Sequence, residues 1–214
     1  DVIPLPILYE DENVIVINKP AGIISHARGR YWDEASVASF IRDKTSGFIG
    51  ERAGIVHRLD RATSGVMICA KDQTTLSALQ KQFSMRKVHK TYIAVINGQI
   101  TPKEGLIDVP LGRNPKNPKT FMPDPDGKEA KTEYHTSVEY KDKSQLELHP
   151  LTGRTHQLRV HLQYMKHPII GDELYGGAPA DRMYLHAHTL EITIPGGERK
   201  KFEAPIPEEF GLLA

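Results

Sequence analysis

"KTYIAVING", Lys90 to Gly98, sets β-branched and aromatic residues at period two, with Tyr92, Ala94 and Ile96 on one face, and then ends on Asn-Gly. That pattern reads as a strand, and Asn97-Gly98 reads as a hairpin signal. Outward from it the same grammar recurs. "ILYEDENVIVINKPAG" (7–22) reads as two short strands around an acidic turn. "KTEYHTSVEY" (131–140) and "QLELHPL" (145–151) read as paired strands, and "YLHAHTLEITIPGGERKKFEAP" (184–205) as a hairpin around Gly196-Gly197. Strands outnumber helices and tight turns join many of them. The expected class is α+β, with a mixed, largely antiparallel central sheet and flanking helices.

Three helices complete the reading. "DEASVASFIRDK" (33–44) places Val37, Phe40 and Ile41 at helical spacing, with Asp33 as a cap. "TTLSALQKQFSMRK" (74–87) is amphipathic, with Leu76, Leu79 and Phe83 on one side. "RTHQLRVHLQYM" (154–165) turns Leu158, Leu162 and Met165 inward. "RNPKNPKTFMPDPDG" (113–127) is rich in Pro, Asn and Asp, which predicts an exposed excursion.

At 214 residues, 39% apolar and 26% charged, the chain suits a single globular domain over 1–214. No apolar run approaches the roughly 18 residues a spanning helix needs, so a membrane is not an expected partner. The single cysteine, Cys69, lies in an apolar run, which excludes a disulfide framework, favours a reducing, cytoplasmic setting and marks Cys69 as core. The formal charge of +1 carries no overall polyanion signature. Basic residues nonetheless cluster at 81–90, at Arg113, Lys116 and Lys119, and at 199–201.

"HRLDRATSG", His57 to Gly65, sets the carboxylate of Asp60 between Arg58 and Arg61. Flanking guanidinium groups favour an ionised carboxylate, leaving two readings: a structural counter-ion or an attacking group. "LTGRTHQLRVHL" (151–162) gathers Arg154, His156, Arg159 and His161 after a Gly turn. On a helix Arg159 lies roughly opposite Leu158 and Met165, able to point across a cleft, or simply to line a polar face.

Other chemistries fit less well. The spacing of His156 and His161 misses the i, i+4 pair of a helical zinc site, and His186-x-His188 has one cysteine in the whole chain to complete it, so no metal is expected. Neither a GxGxxG nor a Walker-type loop is present, and no cofactor is expected. Ser64 stands in Thr-Ser-Gly, not in the G-x-S-x-G elbow of a hydrolase.

"HRLDRATSG", "KTYIAV" and "LTGRTHQLRVHL", continued by "HPIIGDELYGG", together resemble the signature segments of the RluA-type pseudouridine synthases. The resemblance runs from about Ile7 to Pro207, in the family's order, and includes "LYEDENVIVINKPAG" and "YLHAHTLEI". It implies the catalytic fold of those enzymes and an isomerase that converts uridine to its carbon-linked isomer in ribosomal or transfer RNA, as a monomer and without cofactor.

It further implies that Asp60 is the nucleophile, that Arg159 meets it in a salt bridge, and that Tyr92 stacks on the target base. Arg58 would fill the space of a base swung out of its stack. His57 and Arg61 would shape the binding loop, Leu185 would line the pocket, and Arg113, Lys116 and Lys119 would contact phosphates from a closing loop. The N-terminal stretch resembles the point where relatives leave a small RNA-binding domain, expected to be absent from this chain or removed from it. The rival reading is an RNA-binding module without catalysis, which keeps the basic patches but has no use for Asp60.

Overall fold

A computed structural model describes residues 4–25, 34–42, 44–45 and 53–213. In chain order the elements are β1 (Ile7–Glu10), β2 (Val14–Lys19), α1 (Val37–Arg42), β3 (Ser64–Ala70), α2 (Gln73–Ser84), β4 (His89–Asn97), β5 (Glu104–Asp108), β6 (Leu111–Arg113), β7 (Phe121–Pro123), β8 (Lys131–Glu139), β9 (Lys143–Pro150), α3 (Gln157–Tyr164), β10 (Leu185–Thr193), β11 (Arg199–Glu203) and α4 (Glu208–Gly211). The class is α+β and the sheet is largely antiparallel, as the turn chemistry predicts. The expected Asp33 cap lies outside the described residues.

The chain divides into two compact units, 1–89 with 187–205 and 90–186 with 206–214. In the first, β1 pairs β2 and β2 pairs β3, all antiparallel, and β3 neighbours β10, which pairs β11. The acidic turn between β1 and β2 closes because the Asp11 carboxylate accepts from the N–H groups of Asn13 and Val14 at 2.7 and 2.8 Å. Gly196 and Gly197, both at positive φ, close the β10–β11 hairpin. All seven residues of β3 are buried, so its continuous apolar run lies inside the unit. Asp72 caps α2 by accepting from Thr75 N–H at 2.8 Å, and Leu76 and Leu79 bury against the unit's interior.

Gly65 is required where it stands. Its φ of 127° suits glycine, and a Cβ there would lie 2.2 Å from the carbonyl oxygen of Ala187 on β10. Gly65, the second residue of β3, thus lets that strand pass close to its neighbour shortly after the segment carrying Asp60.

In the second unit, β4, β9, β8 and β5 form an antiparallel set in that order, and β6 and β7 make a separate two-stranded ribbon. The Pro-rich excursion is therefore partly ordered as a hairpin, where Arg113 pairs with Phe121 and lays its guanidinium 4.8 Å from that ring. Asn97-Gly98 does not close a hairpin. β4 pairs β9, while β5 pairs β8. Gln99 donates from its amide to the carbonyls of Tyr140 and Lys143, and Ile100 is buried, so burial and side-chain bonding carry the chain away from its local turn.

Helix α3 starts at Gln157, later than its periodicity predicts. His156 adopts a left-handed conformation at φ 55°, and the Gln157 side chain accepts from Arg154 N–H at 3.0 Å and from the Thr152 hydroxyl at 2.6 Å. From Gln157 to Leu162 every residue is buried.

Candidate active site

The segment from His57 to Arg61 is held at alternate residues. The His57 ring stacks on Phe83 at 4.9 Å, and its Nε2 accepts from Ile68 N–H at 3.1 Å. Leu59 is buried, and the Ser25 hydroxyl donates to its carbonyl at 2.8 Å while accepting from its N–H at 3.1 Å. The Arg61 carbonyl accepts from Gly22 N–H at 2.7 Å and from Lys19 Nζ at 3.0 Å. These contacts fasten the segment on both sides of Arg58 and on both sides of Asp60. Arg58 is exposed and Asp60 is half-buried.

Lys19 was missed by sequence reasoning. It is fully buried, and its ammonium donates to the carbonyls of Pro20, Ile23 and Arg61 at 3.0, 2.6 and 3.0 Å. A buried cation without such partners is costly, so these three carbonyls both satisfy it and join the "NKPAG" turn to the Asp60 loop. The signal was available: Ile15, Ile17 and Lys19 share one face of β2, so the lysine continues an apolar row. Arg61 directs its guanidinium to Glu34 in an ion pair, so one of the two flanking arginines has a carboxylate partner of its own.

In the second unit, α3 presents Arg159, which is 9% exposed, to Asp172, which is 2% exposed. Nε donates to Oδ2 at 2.9 Å and Nη2 to Oδ1 at 2.7 Å, a bidentate pair using one edge of the guanidinium. The same guanidinium lies 5.0 Å from the Tyr175 ring. The Tyr175 hydroxyl accepts from Phe121 N–H at 3.0 Å and lies 2.6 Å from His156 Nδ1. Tyr175 thus ties β7, His156 and Arg159 together. Gly171, at φ 86°, precedes Asp172 where a Cβ would lie 1.8 Å from the Arg182 carbonyl oxygen. Asp172 and Tyr175 carry this arrangement, and sequence reasoning named neither.

The polar residues around Arg159 are structural. His161 is fully buried, with Nδ1 2.8 Å from the Thr132 hydroxyl and Nε2 2.9 Å from the Val109 carbonyl. Burial holds its pKa below the usual imidazole value, against the Val109 bond and the Asp108 charge, which raise it. Gln157 donates to Thr132 Oγ1 and the Lys131 carbonyl, both at 3.0 Å. Tyr92 is half-buried on β4, on the face of the buried Ala94 and Ile96. Leu185 is buried at the start of β10. Arg113, Lys116 and Lys119 are exposed on and beside the β6–β7 ribbon, and Arg113 also donates to the Pro118 carbonyl at 2.6 Å. Burial pushes the Cys69 thiol up to about 12, which removes it as a nucleophile and fits its core reading.

A protein-family profile described as RNA pseudouridylate synthase matches residues 13–164. Ribosomal large subunit pseudouridine synthase D of Borreliella burgdorferi is 43% identical over 97% of this chain and 67% of its own length. The chain belongs to the RNA pseudouridylate synthase family. Its counterpart of the same description in Xanthomonas campestris is 40% identical over 99% of this chain and 69% of its own. Among solved structures, human RNA pseudouridylate synthase domain containing 1 superposes with a TM-score of 0.78 at 29% identity, covering 94% of this chain and 83% of that one. As an RNA pseudouridylate synthase the chain is an isomerase, and its substrate is RNA. The rival reading of a binding module without catalysis falls with that membership. Among the described residues, no helix is long and apolar enough to cross a membrane.

Proposed function

We propose that Asp60 is the nucleophile of the isomerisation, that Arg159 supports its anion, and that Tyr92 stacks on the target uracil. The reaction breaks the bond from ribose C1′ to uracil N1, turns the ring, and forms the bond from C1′ to C5. The hydrogen on C5 leaves as a proton and N1 gains one, so there is no net oxidation or reduction. A carboxylate can carry such a step as a covalent nucleophile provided it is ionised and held in place.

The observation that carries this reading is the alternation at 57–61. Three residues are fastened by Phe83, Ile68, Ser25, Gly22 and Lys19, and Asp60 stands between two of them, half-buried. A structural counter-ion has no need of such anchoring; a nucleophile that must meet one carbon atom does. Arg159 is also preorganised, since Asp172 fixes the plane of its guanidinium.

Folded RNA presents its bases stacked, so the target must swing out at a cost of a few kcal/mol. Arg58, exposed beside Asp60, has a planar cationic head suited to the vacated space, and Arg113, Lys116 and Lys119 supply phosphate contacts. The proposed substrate is a uridine of large-subunit ribosomal RNA, on the descriptions of the Borreliella and Xanthomonas relatives. Incubating the protein with ribosomal RNA transcripts carrying tritium on uracil C5 tests this. Stoichiometric tritium release from a large-subunit transcript supports the reading. Release only from transfer RNA would overturn the substrate, and no release from either would overturn the activity.

A further inference from the structure

The pairing of β8 and β9 brings together side chains far from the residues assigned to catalysis. Register sets His135 opposite Glu147 and Glu133 opposite His149, so four potential ligands make a two-by-two patch on one face. His135 Nε2 lies 3.2 Å from one Glu147 carboxylate oxygen, and His149 Nε2 lies 3.1 Å from the other. Ligand atoms of His135, Glu147 and His149 all lie within 4.8 Å of one another.

We propose that this patch binds one divalent transition-metal ion of the zinc type, through His135, Glu147 and His149, with solvent completing the coordination. Zinc bonds to imidazole and carboxylate of about 2.0–2.1 Å put tetrahedral ligand atoms roughly 3.3 Å apart. Each imidazole Nε2 already stands near that spacing from one oxygen of the Glu147 carboxylate, His135 from Oε2 at 3.2 Å and His149 from Oε1 at 3.1 Å, so rotation of these side chains draws the three ligands onto one ion. The Thr91 hydroxyl lies 3.4 Å from His149 Nδ1. The tautomer that donates from Nδ1 to Thr91 leaves the lone pair on Nε2, the atom facing Glu147, in the way that metal-bound histidines are commonly oriented.

Charge argues in the same direction. Glu104 lies opposite His135 on the other side of β8, so Glu104, Glu133 and Glu147 set like charges across three neighbouring strands. Glu104, Glu133, His135 and His149 line one shallow depression. Each of these carboxylates stands opposite an imidazole, so the patch gathers negative charge around the two histidines, and a divalent cation held there is attracted to all three. Two imidazoles select zinc, nickel or copper over magnesium, which prefers an all-oxygen shell.

The test uses the 214-residue chain freed of metal by chelation. Titration with zinc chloride by calorimetry should show one equivalent bound, and cobalt chloride should give visible absorption bands of nitrogen- and oxygen-ligated cobalt. His135→Ala combined with His149→Ala should weaken zinc roughly tenfold or more, while His167→Ala leaves it unchanged. Circular dichroism checks the fold. Should the double variant misfold, Glu147→Gln carries the same expectation of weakened binding. No stoichiometric zinc, or equal affinity in the wild type and the folded variants, overturns the site, and neither result bears on the isomerase activity.

Discussion

Asp172 grips the Arg159 guanidinium along one edge, by parallel bonds of 2.9 and 2.7 Å, with both side chains withdrawn from solvent. Two such bonds fix the direction of the guanidinium plane as well as its charge. A hydrogen bond to a charged group contributes about 1.5–3 kcal/mol. Asp172→Asn keeps the size and one acceptor but loses the charge. Turnover should therefore fall about ten- to a hundredfold, with RNA affinity little changed. Asp172→Ala leaves a buried guanidinium unpaired along that edge and should cost about 3–5 kcal/mol of stability. Single-turnover kinetics and chemical denaturation measure the two effects. Equal loss of kcat and of RNA affinity in Asp172→Asn would contradict the positioning role.

Lys19 makes a second prediction. Lys19→Met fills the same space but leaves the Pro20 and Ile23 carbonyls without their donor, while the Arg61 carbonyl keeps Gly22 N–H. Each buried group left unsatisfied costs about 1–3 kcal/mol. Unfolding should shift accordingly, and turnover should fall further than stability alone explains, because the Asp60 loop loses an anchor. Activity measured well below the melting temperature separates the two.

His161 sets a pH dependence. Its imidazole is held below its ordinary pKa by burial, so the unfolded chain binds a proton more readily than the folded one. Its contribution is complete above the unfolded value of about 6.5 and is lost progressively as pH falls below it. Urea unfolding at about pH 7.5 and about pH 5 should show lower stability at the acid value, and His161→Gln should reduce that difference. An undiminished difference in the variant would place the titration elsewhere.

Gly65→Ala tests the close passage of β3 beside β10. The added methyl would overlap the backbone of Ala187 at 2.2–2.7 Å and meet a φ that L-residues avoid. Destabilisation of more than about 2 kcal/mol is expected from strain and overpacking together. A variant as stable as the parent would show that the turn can shift freely.

Local chemistry carried much of the fold into the sequence. Asp11 in its acidic turn, Gly196-Gly197 between β10 and β11, and the apolar stripe of α2 each specify structure through near neighbours, and each is found as read. Asn97-Gly98 shows the opposite case: a strong hairpin pair is overridden because Ile100 buries and Gln99 bonds to Tyr140 and Lys143. Asp60 is half-buried and Arg159 buried, and the groups that hold their surroundings in place are not legible in the sequence. Asp172, Tyr175, Ser25 and Lys19 act through partners that only the folded chain brings near, at separations from 13 residues for Arg159–Asp172 through 42 for Lys19–Arg61 to 54 for Tyr175–Phe121. His135, Glu147 and His149 were passed over because their meeting depends on strand register, and no spacing within one segment reports it.

Asp60→Asn is the most direct measurement of the central claim. The substitution is nearly isosteric, so the anchored loop and RNA binding should persist, with a dissociation constant close to that of the parent by filter binding. Release of tritium from uracil C5 should fall below detection in single-turnover reactions with excess protein. An Asp60→Asn protein that releases tritium at the parental rate would contradict the assignment of that carboxylate as nucleophile.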